Sequence, residues 1–240
     1  MRTIFEFFLI AALTLWLSDN ALAQNTIRVV VYGDSLTSGY QLQPGEAFPA
    51  RLDQKLRAVG FSNVEVVNMS IAGATTADGL TNLSSLEDKH PDIVLVELGS
   101  NDAQRGVDVA IINKNLGNVV GNLVQNNIYV IMIGNKAPAN MGYAYGQQLE
   151  GVYRQIATMF KSPLYAYALN GIIGSQEMTL ADGYHPSAKG VQYMMEQIYP
   201  LVDAAVRWKW ETQRQSQQWQ LQQSQGAPAP PPPDSPPDMR

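Results

Sequence analysis

The sequence predicts an α/β domain built on a parallel sheet with helices on both faces. Three observations lead there. Apolar, β-branched runs recur along the middle of the 240-residue chain without the polar alternation of a half-exposed strand. Longer segments between them repeat apolar residues at helical spacing, so strands and helices alternate. Short polar, glycine-bearing segments punctuate the ends of the runs.

Five runs are expected as strands buried on both faces: Ile27 to Tyr32, Val64 to Val67, Ile93 to Leu98, Ile128 to Ile133 and Leu164 to Tyr167. Ala47 to Val59 is expected as a helix, with Phe48, Leu52, Leu56 and Val59 on one stripe. Val107 to Val124 carries Val109, Ile112, Leu116, Val119, Val120 and Leu123 at the same spacing, and Leu149 to Phe160 and Val191 to Val206 behave likewise. No internal repeat interrupts residues 24–207, which form one domain.

The two ends differ from this middle. Residues 1–23 read as a secretory signal: Arg2 is the positive start, Phe7 to Leu17 is the apolar run, and Ala21-Leu22-Ala23 is a small-x-small cleavage pattern. The apolar run is too short to span a membrane comfortably. The mature chain is therefore expected to begin near Gln24, in a periplasm or outside the cell. At the other end, residues 208–240 form a Gln/Pro-rich tail. Eight glutamines fall within 211–225, and seven of the fourteen prolines within 226–240. The glutamine stretch is able to continue a helix. Pro230 to Pro233 is a polyproline run that is not. The tail reads as solvated chain, or as a tether to the envelope or a partner with Trp208, Trp210 and Trp219 as contact points.

Composition narrows the function. Hydrophobic residues make up 45% and charged residues 15%, which excludes a long disordered chain, a coiled coil and a polytopic membrane protein. The formal net charge of −5 leaves no basic surplus for nucleic acid. The chain has no cysteine, so thiolate catalysis, disulfides and Cys-type zinc sites are excluded. With His90 and His185 its only histidines, a zinc enzyme lacks ligands, and no metal or cofactor is expected.

In a parallel α/β sheet, ligands bind at the carboxyl ends of the strands. Four segments lie there: Gly33-Asp34-Ser35-Leu36-Thr37, Asn68-Met69-Ser70-Ile71-Ala72-Gly73, Gly99-Ser100-Asn101-Asp102 and Asp182-Gly183-Tyr184-His185-Pro186. Their side chains suit a nucleophilic hydrolase. His90 precedes the third strand, at the wrong end, and reads as a surface residue. That leaves His185 as the base. Asp182, three residues earlier across a turn at Gly183, is spaced to reach its Nδ1. Ser35 is the candidate nucleophile. The Ser35 and Gly73 amides and the Asn101 side chain are candidate oxyanion donors. Each residue also has an ordinary reading: Ser35 or Asp182 as a helix cap, Gly73 and Asn101 as loop residues. Their convergence on one rim favours the catalytic reading.

Gly33-Asp34-Ser35-Leu36, Gly73, Gly99-x-Asn101-Asp102 and Asp182-x-x-His185 resemble, in order and separation, the four sequence blocks of the SGNH hydrolases, also called GDSL-type esterases. The resemblance covers most of residues 27–205. Around Val94 to Gly99 and Ala137-Pro138-Ala139-Asn140 it is similar to the bacterial branch of arylesterases and thioesterase I/lysophospholipases. It implies a flavodoxin-like three-layer α/β/α sandwich with a five-stranded parallel sheet. It also implies a Ser35–Asp182–His185 triad and an oxyanion hole formed by Ser35, Gly73 and Asn101. The chain departs from many relatives in reading Gly73-Ala74-Thr75 after the second block and Gly99-Ser100-Asn101-Asp102 in the third.

The expected activity is hydrolysis of carboxylic esters or thioesters through an acyl-enzyme, with a small acyl ester or lipid as substrate. The alternatives are removal of acetyl groups from envelope carbohydrate and a non-catalytic envelope-binding module. An α/β-hydrolase is excluded because no Gly-x-Ser-x-Gly occurs, and no P-loop or dinucleotide fingerprint is present. Asp34 as a phosphoryl-accepting nucleophile lacks the second nearby aspartate that would hold magnesium. The segment Gly134 to Gly146 is read as the longest loop at the rim. Its Met141, Tyr143 and Tyr145 are expected to bind substrate as an acyl-chain wall. The other reading makes it a surface loop whose tyrosines pack on the following helix.

Overall fold

Ile27, Val29 and Val31 point to one side of the first strand, Val30 and Tyr32 to the other, and all five are buried. The computed structural model describes residues 26–224 and contains five strands: β1 (Ile27–Gly33), β2 (Val64–Asn68), β3 (Ile93–Glu97), β4 (Tyr129–Ile133) and β5 (Leu164–Tyr165). They form one parallel sheet in the order β2-β1-β3-β4-β5. In β3 and β4, Ile93, Leu95, Ile131 and Ile133 join Ile27 on one face, while Val94, Val96, Val130 and Met132 join Val30 on the other. Continuous apolar runs are what a strand covered on both faces requires.

Eight α-helices lie among the described residues: α1 (Ser35–Ser38), α2 (Phe48–Ala58), α3 (Thr76–Thr81), α4 (Leu83–Glu87), α5 (Ser100–Gln104), α6 (Val109–Gln125), α7 (Tyr143–Phe160) and α8 (Ala188–Ser224). Phe48, Leu52 and Leu56 of α2 and Val191, Met194, Ile198 and Val202 of α8 pack on one face of the sheet. Ile112, Leu116 and Val119 of α6 and Leu149, Val152 and Ile156 of α7 cover the other. The result is the expected three-layer sandwich. From β1 the chain crosses to β2 on one side and returns to β3 on the other. The direction of winding therefore reverses between β1 and β3, which opens a crevice at their carboxyl ends.

Several expectations need correction. Strand β2 is an edge strand and is not buried on both faces. Glu65 is exposed on it and pairs with Arg28 of β1 at 2.9 Å. The run from Leu164 keeps only two residues in the sheet, because β5 forms the other edge. Val59 leaves the buried stripe: α2 ends at Ala58, and Val59 is 44% exposed as its cap. Helix α7 begins at Tyr143, six residues before the expected start at Leu149. The rim connection is correspondingly shorter than Gly134 to Gly146.

The last helix runs from Ala188 to Ser224, well past Val206. The boundary expected at 207/208 falls inside this continuous helix. Trp208 lies against Tyr129 with ring centroids 5.5 Å apart, and Lys209 Nζ pairs with Asp92 at 3.1 Å. Trp208 and Trp210 thus pack on the core, and the glutamine stretch is helical through Ser224. The signal segment 1–23 and the polyproline run lie outside the described residues.

Candidate active site

Strand β1 ends at Gly33, and the chain turns at once into α1. Asp34 caps that helix, its Oδ1 accepting from the Leu36 amide at 2.9 Å. This turn brings Ser35, the first residue of α1, to the crevice. Its amide has no intrahelical partner there, as for every first-turn donor.

The segment before α8 closes onto Ser35. The Leu180 amide donates to the His185 carbonyl at 2.7 Å, and Gly183, with φ of 70°, makes the turn. Asp182 Oδ1 accepts from the amides of Tyr184 and His185 at 2.9 and 3.0 Å, which aims its Oδ2 at the ring. His185 Nδ1 lies 2.6 Å from Asp182 Oδ2, and His185 Nε2 lies 3.0 Å from Ser35 Oγ. The Tyr184 amide, followed by the His185 side chain, holds the Asp182 carboxyl below its ordinary range. Asp182 is therefore an anion facing the imidazole. Two rings confine His185: Tyr40 at 4.6 Å and Tyr184 edge-on at 5.4 Å. Tyr184 Oη is fixed in turn, 2.6 Å from Ser100 Oγ. The structure thus joins Ser35, His185 and Asp182 in one hydrogen-bonded line, each partner within reach for proton transfer.

Gly73 sits in the connection after β2 with φ of 84°, a conformation that favours glycine. Its carbonyl accepts from Arg105 Nη2 at 3.1 Å. Asn101 begins on α5 after β3 and reaches back to the nucleophile's turn. Its Nδ2 donates to Asp34 Oδ2 at 2.9 Å and to the Ala74 carbonyl at 3.0 Å. Both amide protons are engaged in the free site, so Asn101 is not the open donor that the sequence suggests. To hold an oxyanion it exchanges one of these partners. The neighbouring Asp102 is buried and turned away, accepting from the Thr76 amide at 2.8 Å and Thr76 Oγ1 at 2.6 Å. It bolts α5 to α3 and so fixes the spacing between the second and third blocks.

Met141 and Tyr145 both pack toward the segment after α5. A Cβ built on Gly106 would lie 3.2 Å from the Met141 methyl carbon, and Tyr145 Oη donates to the Val107 carbonyl at 2.7 Å. Tyr143 is 84% exposed at the start of α7. His90 is exposed in the turn before β3, at the opposite end of the strands from Ser35.

Two features of the site escape sequence reading. Tyr40 and Tyr184 against His185 are ordinary aromatics in the sequence. The buried carboxyls of Asp34 and Glu97 lie together: burial pushes Asp34 up to about 6, and burial with the Asp34 charge holds Glu97 well above its ordinary range. The signal for Glu97 is a single acid in the otherwise apolar run of β3.

A family described as GDSL-like lipase/acylhydrolase matches residues 31–193. An arylesterase of Vibrio mimicus is 33% identical over 186 residues, 77% of this chain and 92% of its own length. The thioesterase 1/protease 1/lysophospholipase L1 of Escherichia coli K12 is 31% identical over 192 residues, covering 78% and 89%. The crystal structure of TesA superposes with a TM-score of 0.71 at 31% identity, over 74% of this chain and 99% of that one. The matched span runs from the middle of β1 into α8 and takes in all four rim segments. On this evidence the chain belongs to the GDSL-like lipase/acylhydrolase family.

Proposed function

We propose that Ser35 is the nucleophile of a serine ester hydrolase, with His185 as its base and Asp182 orienting that base. Ser35 Oγ attacks the ester carbonyl carbon while His185 Nε2 takes the hydroxyl proton. The carbonyl π electrons move to oxygen, and the resulting oxyanion is held by the Ser35 and Gly73 amides and by Asn101. Collapse of the intermediate breaks the bond to the alcohol, which leaves with the proton from His185. Water, deprotonated by His185, then attacks the acyl-enzyme, and the acid is released as Ser35 regains its proton.

The observation that carries this reading is the unbroken line from Asp182 Oδ2 through His185 to Ser35 Oγ, with separations of 2.6 and 3.0 Å. A binding module has no use for a carboxylate kept ionised against an imidazole that in turn faces a hydroxyl. The names of the relatives, arylesterase and thioesterase 1/protease 1/lysophospholipase L1, favour carboxylic acyl transfer. Oxygen esters are the proposed substrates. The signal-like segment 1–23 favours export, and an exported enzyme meets little acyl-CoA. Met141, with Tyr143 beside it at the head of α7, is proposed to line the acyl chain. Tyr145, its hydroxyl tied to the Val107 carbonyl, is proposed to brace the same wall.

The test is hydrolysis of p-nitrophenyl esters from acetate to palmitate by wild type and Ser35→Ala. Turnover by wild type alone supports the reading, and equal turnover by both contradicts it. N-terminal sequencing of protein recovered from a bacterial envelope fraction checks export, with Gln24 expected as the first residue.

A further inference from the structure

Two buried carboxyl groups sit beside the nucleophile, and the acyl-transfer steps above use neither. Asp34 and Glu97 are both fully buried. Gly33 of β1 pairs with Glu97 of β3, so the second central strand delivers its last side chain against the turn that carries Ser35. A Cβ on Gly33 would lie 2.9 Å from Glu97 Oε2 and 2.8 Å from its carbonyl oxygen, so the approach requires glycine. Glu97 Oε1 accepts from Asn135 Nδ2 at 2.7 Å, while Oε2 lies 3.3 Å from both the Asp34 amide and Thr37 Oγ1. The two carboxyl groups lie near enough in the buried turn for each to bear on the other's ionisation. Beyond Asp34 the chain of contacts continues to Asn101 Nδ2 at 2.9 Å.

We propose that Glu97 is a positioning residue for the oxyanion donor: its carboxyl group holds Asp34 against Asn101, so that the Asn101 amide keeps its aim while it exchanges the Ala74 carbonyl for the oxyanion. The proposal rests on the assignment of Asn101 as an oxyanion donor. Two adjacent carboxylates cannot both ionise in a buried site. Asp34 receives the Leu36 amide and the Asn101 amide, which stabilise its anion. Burial and the Asp34 charge favour the protonated form of Glu97, which has a proton to donate toward Asp34. The other titratable groups that bear on the pair are Tyr153 of α7 and Tyr184 and His185 of the segment before α8. Burial keeps both tyrosines neutral. A neutral acid behind an anion excludes a second negative charge from the oxyanion site.

The experiment is a kinetic double-mutant cycle on purified enzyme with p-nitrophenyl butyrate. Glu97→Met keeps the volume and removes the donor. It is expected to lower kcat about tenfold to a hundredfold, less than deletion of an oxyanion donor outright, with KM within about twofold. In an Asn101→Ala background the same change is expected to cost less than about threefold, because the residue it acts through is gone. The conservative Glu97→Gln supplies a neutral donor and is expected to restore kcat to within about threefold of wild type. An undiminished loss in the Asn101→Ala background, a change confined to KM, or wild-type kcat for Glu97→Met overturns the proposal. If Asn101→Ala alone leaves kcat intact, the oxyanion assignment falls and takes the proposal with it, which separates the two failures. Should Glu97→Met not fold, Glu97→Gln decides: kcat lowered by more than about threefold overturns the proposal, and a smaller change supports it.

Discussion

Ser35 and His185 are 150 positions apart in the chain, yet Ser35 Oγ and His185 Nε2 lie 3.0 Å apart. The contact exists because β1 ends in the crevice where the sheet's winding reverses, and because the segment before α8 folds back over that crevice. If Ser35 is the nucleophile, Ser35→Ala lowers kcat by a factor on the order of 10⁶. Thermal stability stays near wild type, since only one hydroxyl is lost. Activity above a few per cent of wild type, with contaminating esterase excluded, contradicts the assignment.

Asp182 receives two backbone amides as well as the imidazole, and it is held ionised. Its charge is therefore already present at mildly acidic pH, so titration of Asp182 does not shape the acid limb of kcat/KM there. Asp182→Asn retains the shape but offers the ring a donor or the wrong acceptor, and it is expected to cost about 10⁴ in kcat. His90→Ala, at the far end of the strands, is expected to leave the pH profile unchanged. A profile altered by His90→Ala in folded protein would move the base to that residue.

The carboxyl pair makes a separate prediction about stability. Glu97 holds its proton in the folded protein to a pH well above the ordinary glutamate range. Above about pH 4.3 the unfolded chain loses that proton while the folded one keeps it, so this group's contribution falls as pH rises, by at most about 1.4 kcal/mol per pH unit. Glu97→Gln removes the titration. The difference in Tm, variant minus wild type, is expected to grow as pH rises from about 4. A difference that is constant with pH means that Glu97 titrates normally.

Much of this architecture is legible in the sequence, for physical reasons. The central strands β1, β3 and β4 are covered on both faces, and only unbroken apolar runs satisfy that. Edge strands lack one neighbour, so Glu65 in β2 breaks no rule, and β5 shrinks to two residues. Helix ends are less legible because local contacts decide them. Val59 is exposed since the helix stops one residue earlier, and Tyr143 starts α7 because Gly142, with φ of 82°, releases the chain there. Ser35, Asp182 and His185 are visible through their spacing and their shared rim. Glu97 is not, because its partner Asp34 is 63 positions away and the contact depends on strand register. The engagement of both Asn101 protons is likewise a property of assembled loops rather than of any local pattern.

The helix that runs past 207 predicts where truncation begins to matter. A chain cut after Trp210 keeps the Trp208–Tyr129 contact and the Lys209–Asp92 pair. It is expected to retain wild-type kcat on small esters and a Tm within a few degrees. A chain cut after Val206 loses both contacts and is expected to lose about 2 kcal/mol or more. Equal melting of the two truncations would show that the tryptophans contribute nothing.

The acyl-wall proposal separates neighbouring residues. Met141→Ala is expected to shift the preferred acyl length, since each methylene that gains burial is worth about 0.8 kcal/mol, while acetate turnover stays nearly constant. Tyr145→Phe loses only its bond to the Val107 carbonyl and is expected to cost about 1 kcal/mol of stability, with chain-length preference unchanged. Parallel kcat/KM curves across the ester series for wild type and Met141→Ala contradict a role for Met141 in the wall.

The most direct test of the central claim is reaction with a fluorophosphonate, read by intact and peptide mass spectrometry. Wild type is expected to gain one phosphonyl group per chain, on the peptide that contains Ser35, with activity lost in step with labelling. Ser35→Ala and His185→Ala are expected to stay unlabelled over the same period. Labelling at another residue, or full labelling of His185→Ala at the wild-type rate, would contradict a Ser35 nucleophile activated by His185.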